Sequence, residues 1–223
     1  MLPYTSEEGR DWKSKGFSIG IAGPVGAGKT TLVQKLCKAF KDEHSMIVIF
    51  NDLYTTLDAE QLIEEGHLNR ERVKGLKTGI WSRVAIDEDV EDNFTVGEAV
   101  SKKFGAQIVV FEAAGDNLGA NFDRNLSDFT IFVLDTASGE KTPLKGGKGV
   151  TQADLLVINK TDIAEACGVD LDLLKANAKK VREEGPIVLA ALKKDEGVNA
   201  IVEAIKKQYE ESGAKAFFDE LKQ

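Results

Sequence analysis

Gly23-Pro24-Val25-Gly26-Ala27-Gly28-Lys29-Thr30 decides how the rest of the chain is read. It meets the pattern G-x-x-x-x-G-K-[ST] at every fixed position. Glycines let successive main-chain N–H groups turn inward onto phosphate oxygens, and a following helix adds its positive end. Lys29 is placed to reach the β- and γ-phosphates, and the Thr30 hydroxyl to ligate Mg²⁺. Gly23, Gly26, Ala27, Gly28, Lys29, Thr30 and Thr31 form the candidate phosphate site. The flanks agree. Phe17, Ile19 and Ile21 alternate with small residues, which predicts a strand. Leu32, Val33, Leu36, Cys37 and Phe40 follow at helical spacing.

Working outward, short apolar runs at residues 46–50, 108–111, 129–134, 155–158 and 187–189 predict buried strands, with a weak one at Val73. A short helix around Ala59, Leu62 and Ile63 closes at Gly66, and a helical pattern spans residues 80–104. The acidic run at 87–92 is read as a solvated face. Val198, Ile201, Val202, Ile205 and Tyr209 describe an amphipathic helix. The alternation predicts an α/β fold: one doubly wound, mainly parallel sheet with helices on both faces. Right-handed crossovers then bring the loops after each strand to one edge. Gly23 to Thr30, Asp52, Glu112 and Asn159 gather there. The expected layout is a polar segment at residues 1–15, a nucleotide-binding domain at 16–210, and a helical extension at 211–223 in which Phe217, Phe218 and Leu221 pack on the domain.

With 223 residues the chain is long enough for a core without disulfides. A net charge of −8 argues against non-specific nucleic-acid binding. The start has no apolar leader and no run reaches membrane-spanning length, so the expectation is a cytoplasmic protein. Cys37 falls on the apolar face of the first helix and Cys167 in a loop, and neither belongs to a metal or redox pattern.

Asn159-Lys160-Thr161-Asp162 follows the strand at 155–158. This is N-K-x-D, a pattern suited to guanine. A carboxylate at Asp162 accepts two N–H bonds from the guanine edge, a pair that adenine does not offer. Asn159 steadies the loop, and the Lys160 stem covers the base. GTP is therefore preferred to ATP. Ala191, Leu192 and Lys193, after the last strand, are placed to back the base with main-chain contacts. Glu112 ends a buried strand and is placed to hold Mg²⁺ directly or through water, the longer arm favouring water, and the Gly115 N–H can touch the γ-phosphate. Asp52 either holds Mg²⁺ or orients the attacking water; the sequence leaves both open. The catalytic set is thus Lys29, Asp52, Glu112 and Gly115, and the metal set Thr30, Asp52 and Glu112.

Four stretches together carry a family resemblance: 23–30, Asn51-Asp52-Leu53-Tyr54-Thr55, Glu112-Ala113-Ala114-Gly115-Asp116-Asn117-Leu118, and Asp154 to Asp162. With Lys145-Gly146-Gly147-Lys148-Gly149 they resemble the urease accessory GTPase family (UreG), sibling of the hydrogenase nickel-insertion GTPase HypB. The resemblance runs from about Gly20 to Ala204. It implies a SIMIBI-class GTPase that turns over slowly, dimerises with nucleotide, and works with accessory proteins to place nickel in a client enzyme. One window departs. Where the family carries Cys-Pro-His between Thr-Gly-Gly and Ala-Ile, this chain reads Thr78-Gly79-Ile80-Trp81-Ser82-Arg83-Val84-Ala85-Ile86. Neither Trp81 nor Arg83 is a plausible nickel ligand. Leu57 also stands where the family has an acid, and His44 and His67 lie outside the window as surface or loop residues. The expectation is a retained GTP machinery without a nickel site. Three other readings stay open: a nickel or zinc carrier with other ligands, a small-molecule kinase, and a nucleotide-holding module that barely turns over.

Overall fold

The computed structural model describes residues 10–52, 57–78, 84–115, 118–182 and 185–222. Leu53, Tyr54, Thr55, Trp81, Arg83, Asp116 and Asn117 lie outside these residues. Seven strands form one sheet: β1 (Phe17–Ala22), β2 (Met46–Asp52), β3 (Val73–Lys77), β4 (Ile108–Glu112), β5 (Phe129–Asp135), β6 (Leu155–Asn159) and β7 (Ile187–Leu189). Their order is β3-β2-β4-β1-β5-β6-β7, and every pairing is parallel. The chain winds from β1 toward β3, returns to β4, and then builds the other half from β5. The order therefore switches at β1, which is where doubly wound sheets open a crevice.

Because successive strand side chains point to opposite faces, each strand feeds two cores. Ile19, Val48, Val110, Val133 and Val157 pack under α1 (Lys29–Phe40), α2 (Leu57–Glu64), α7 (Val198–Glu211) and α8 (Ala214–Glu220). Ile49, Phe111, Phe132, Leu134 and Ile158 pack on the other side. That side carries α3 (Val84–Asp87), α4 (Glu91–Phe104), α5 (Lys148–Gln152) and α6 (Leu171–Arg182). Cys37 is enclosed in the first core, where burial pushes its thiol up to about 12; Cys167 is exposed.

Three expectations need correction. Four strands run one or two residues past their apolar runs, because the polar residue that follows still pairs: Glu112 lies beside Phe50, and Asp135 beside Asn159. The helical pattern at 80–104 is two helices over the described part, broken at residues 88–90. Acids oppose the negative C-terminal end of one helix and suit the start of the next, where Glu91 and Asp92 lie. The acidic run is not wholly solvated either, since Asp87 is mostly buried and pairs with Lys148 at 3.1 Å.

Residues 10–15 pack on the sheet: Trp12 stacks near Phe17 and Lys15 is fully enclosed. Phe218 of α8 is buried as expected, with the Phe217 ring against it, whereas Leu221 is exposed. His44 sits in the loop after α1, but its ring is half-buried between Phe40 and Tyr209. No described helix is long and apolar enough to cross a membrane.

Candidate functional site

A cavity of about 720 Å³ opens at the C-terminal edge of the sheet, over the switch point at β1. The loop between β1 and α1 forms its floor. Gly28 caps α1 at φ +107, and a Cβ there would stand 2.2 Å from Asn159 Nδ2. Only glycine satisfies both conditions. Among the described residues no side chain caps the helix, which leaves its leading N–H groups open to a ligand. Lys29 is 7% exposed and its ammonium donates to the Pro24 main-chain oxygen at 3.2 Å. It thus lies along the loop, within the wall of the cavity.

The acidic side is built from two strand ends and a helix start. Glu112, 3% exposed, accepts from the Thr30 hydroxyl at 2.8 Å. Burial raises its pKa to about 8; Lys29 and Thr30 pull it back, while Asp58 and Asp52 push it further up. Its Oε2 is buried with no partner among the described residues. Asp52 ends β2, and Asp58 enters from the first turn of α2. Burial, then the neighbouring Asp52, raises the Asp58 pKa. Such oxygen donors fit Mg²⁺, which typically takes one or two carboxylates and leaves its other positions to phosphates and water. Among the described residues, no three His, Cys, Asp or Glu side chains stand close enough to cage a metal alone. The orphaned Glu112 oxygen marks where a cation would be drawn.

The opposite end is organised by Asn159. Its amide donates to the Ala27 main-chain oxygen at 2.8 Å, and its own oxygen accepts from the Leu192 N–H at 3.1 Å. One buried side chain so joins three loops. Lys160 adopts φ +64 and forms an ion pair with Asp135. Asp162 borders the cavity and meets Lys194 at 3.3 Å. Of the residues picked from sequence, Gly26, Gly28, Lys29, Thr30, Thr31, Asp52, Glu112, Gly115, Asn159, Lys160, Asp162 and Leu192 line this one cavity. Gly23, Ala27 and Ala191 do not. Gly23 lies against the Val133 main-chain oxygen, Ala27 offers its oxygen to Asn159, and Ala191 bridges to Glu196. Gly115 is pressed on the loop itself, since a Cβ there would come within 2.2 Å of Val25 Cγ2.

Sequence reasoning missed Asp58, Asp135 and Lys194. Asp58 resembles any acid in a first helical turn. Asp135 meets Lys160 only because β5 pairs with β6.

A model of the CobW/HypB/UreG nucleotide-binding domain matches residues 17–189, from the first residue of β1 to the last of β7. The chain belongs to that family. Among solved structures, the hydrogenase maturation factor HypB from Archaeoglobus fulgidus superposes with a TM-score of 0.74 at 22% identity, over 87% of this chain and 91% of that one. HypB from Helicobacter pylori, solved in complex with nickel, gives 0.72 at 22% identity, over 90% of each chain. A LAO/AO transport system kinase gives 0.56 at 19% identity, over 90% of this chain and 62% of the kinase. These likenesses establish the fold. As a CobW/HypB/UreG domain the chain is a nucleotide-binding module, and α7 and α8 extend beyond the matched span.

Proposed function

We propose that this protein is a guanine-nucleotide switch of the urease-accessory type. It binds GTP with Mg²⁺, hydrolyses it slowly, pairs with a second copy when loaded, and assists accessory proteins in maturing a client metalloenzyme. The observation that carries the nucleotide reading is the shared cavity: the phosphate loop and the Asn159–Asp162 loop face one space and are tied together by Asn159. The phosphates would lie on the main-chain N–H groups at the start of α1, with Lys29 balancing their charge. Thr30 and Glu112, supported by Asp52 and Asp58, would hold Mg²⁺, which when bound neutralises charge on the β- and γ-oxygens. Burial raises the Glu112 pKa, and its carboxyl accepts from the Thr30 hydroxyl, from which it would part to serve as a ligand. Gly115, in contact with Val25, is placed to sense the end of the phosphate chain. At the far end Asp162 would take the guanine edge once Lys194 swings aside, and the Lys160 stem would cover the base.

Nickel carriage is left out of the proposal because Trp81 and Arg83 supply no ligand for it. The test is a titration of GTP and ATP against the wild type and Asp162→Ala. A site built around a hydrogen-bonding pair should favour GTP by roughly 10⁴-fold, and the variant should lose that preference. Equal affinity of the wild type for ATP overturns the reading.

A further inference from the structure

Glu112 is linked, through Asn51 in the cavity wall, to a part of the fold outside the cavity. Asn51 on β2 and Asn93 in the first turn of α4 are 3% and 1% exposed. The Asn93 amide donates twice, to Asn51 Oδ1 at 2.8 Å and to the Ala85 main-chain oxygen of α3 at 3.0 Å. Asn51 in turn donates to the main-chain oxygen of Glu112 at 3.2 Å. Since the Glu112 carboxyl holds Thr30, a continuous run of polar contacts joins the start of α1 to α3.

Packing does not explain an asparagine at position 93. Its Oδ1 is buried with no partner among the described residues, an unfavourable arrangement that an apolar side chain of the same shape would avoid. Its two donors explain it. They reach β2 and α3, which are otherwise held from different directions. Asp87 and Ile86 of α3 are anchored to Lys148 at 3.1 Å and to the Asp123 N–H at 2.8 Å, on the β5–α5 side. Asn93 therefore ties α3 to the strand ends that carry Asn51 and Glu112.

We propose that Asn93 is a positioning residue that couples the state of the nucleotide cleft to the conformation of α3. The inference rests on the GTP-and-Mg²⁺ reading above. In one arrangement Glu112 is bonded to Thr30, as here; in the other it is released from Thr30 when nucleotide and cation enter. The end of β4 shifts between the two, Asn51 follows the Glu112 main chain, and Asn93 passes the displacement to Ala85. A buried, mutually bonded set of amides suits this role, because it resists piecemeal rearrangement. The bistable element demanded of any such coupling is the Thr30–Glu112 contact.

Hydrogen exchange of the full chain tests it, read at the amides of residues 84–88 with and without a non-hydrolysable GTP analogue and Mg²⁺. The wild type should change its exchange there by about fivefold or more on loading. Asn93→Leu should bind the analogue within about threefold of wild type yet lose that change. Should Asn93→Leu fail to fold, Asn51→Asp serves: it keeps an acceptor for Asn93, removes the donor to Glu112, and should abolish the same response. A full response in either variant, or a wild type that binds the analogue with no change at 84–88, overturns the coupling. A wild type that binds no guanosine nucleotide overturns the proposed function, and the coupling with it.

Discussion

Charged side chains at the two edges of the sheet are held in different ways. At the N-terminal edge Lys15, Asp128 and Asp154 are each answered by several partners. Lys15, fully enclosed, donates to the main-chain oxygens of Asn125 and Leu126 at 2.8 and 2.7 Å. Asp128 accepts from the Ser18 N–H and hydroxyl and pairs with Arg10. Asp154 accepts from the Thr130 N–H and hydroxyl while Arg124 grips both its oxygens. At the C-terminal edge Glu112 is nearly as buried as Lys15 but keeps an oxygen with no partner among the described residues, with Asp58 and Asp52 raising its pKa further. A satisfied buried charge holds the fold together. A buried carboxyl with an open oxygen, gathered with other acids beside a glycine loop, is the mark of a candidate functional site.

Three substitutions can break this contrast. The largest effect is expected from Lys29→Ala at the cleft edge. It removes charge-assisted bonds worth about 1.5–3 kcal/mol, and so should weaken guanosine nucleotide binding by roughly 10- to 100-fold in a calorimetric titration. Its melting temperature should change little. Asp154→Ala at the opposite edge should do the reverse. Chemical denaturation should show a loss of about 1–3 kcal/mol, with nucleotide affinity unchanged, since the Thr130 N–H loses its acceptor. A stable Asp154→Ala with damaged binding would dissolve the division between the edges.

A pH dependence sharpens it. Burial, then the nearby Arg10, lowers the Lys15 pKa to about 7, whereas the unfolded chain keeps that proton until near 10.5. Between those values the unfolded state holds more protons than the folded state, so stability rises with pH. The slope contributed by Lys15 is at most about 1.4 kcal/mol per pH unit. Urea midpoints at pH 7 and pH 9 should differ in that direction for the wild type, and less so for Lys15→Met.

Much of the cleft was legible because its chemistry is written locally. A phosphate loop uses main-chain groups, so glycine spacing reveals it. Asp52, Glu112 and Asn159 were found because polar residues closing apolar runs mark strand ends, and parallel strands end together. Asp135 closes the run at 129–134 in the same way, but its pairing with Lys160, which follows the next strand 25 residues on, is not written locally. Asn93 falls within a helical pattern that gives no reason for a buried amide. Lys15 sits in a stretch that reads as polar surface; only the convergence of two carbonyls around its ammonium lets it enter the core.

The sequence by itself determined the alternation of strands and helices, the glycine loop and the acid suited to guanine, since each depends on residue type at short spacing. Tertiary structure alone decided which buried charges are answered and which are left open. That depends on which groups from distant segments come within about 3 Å of one another, and local pattern carries no record of such distances.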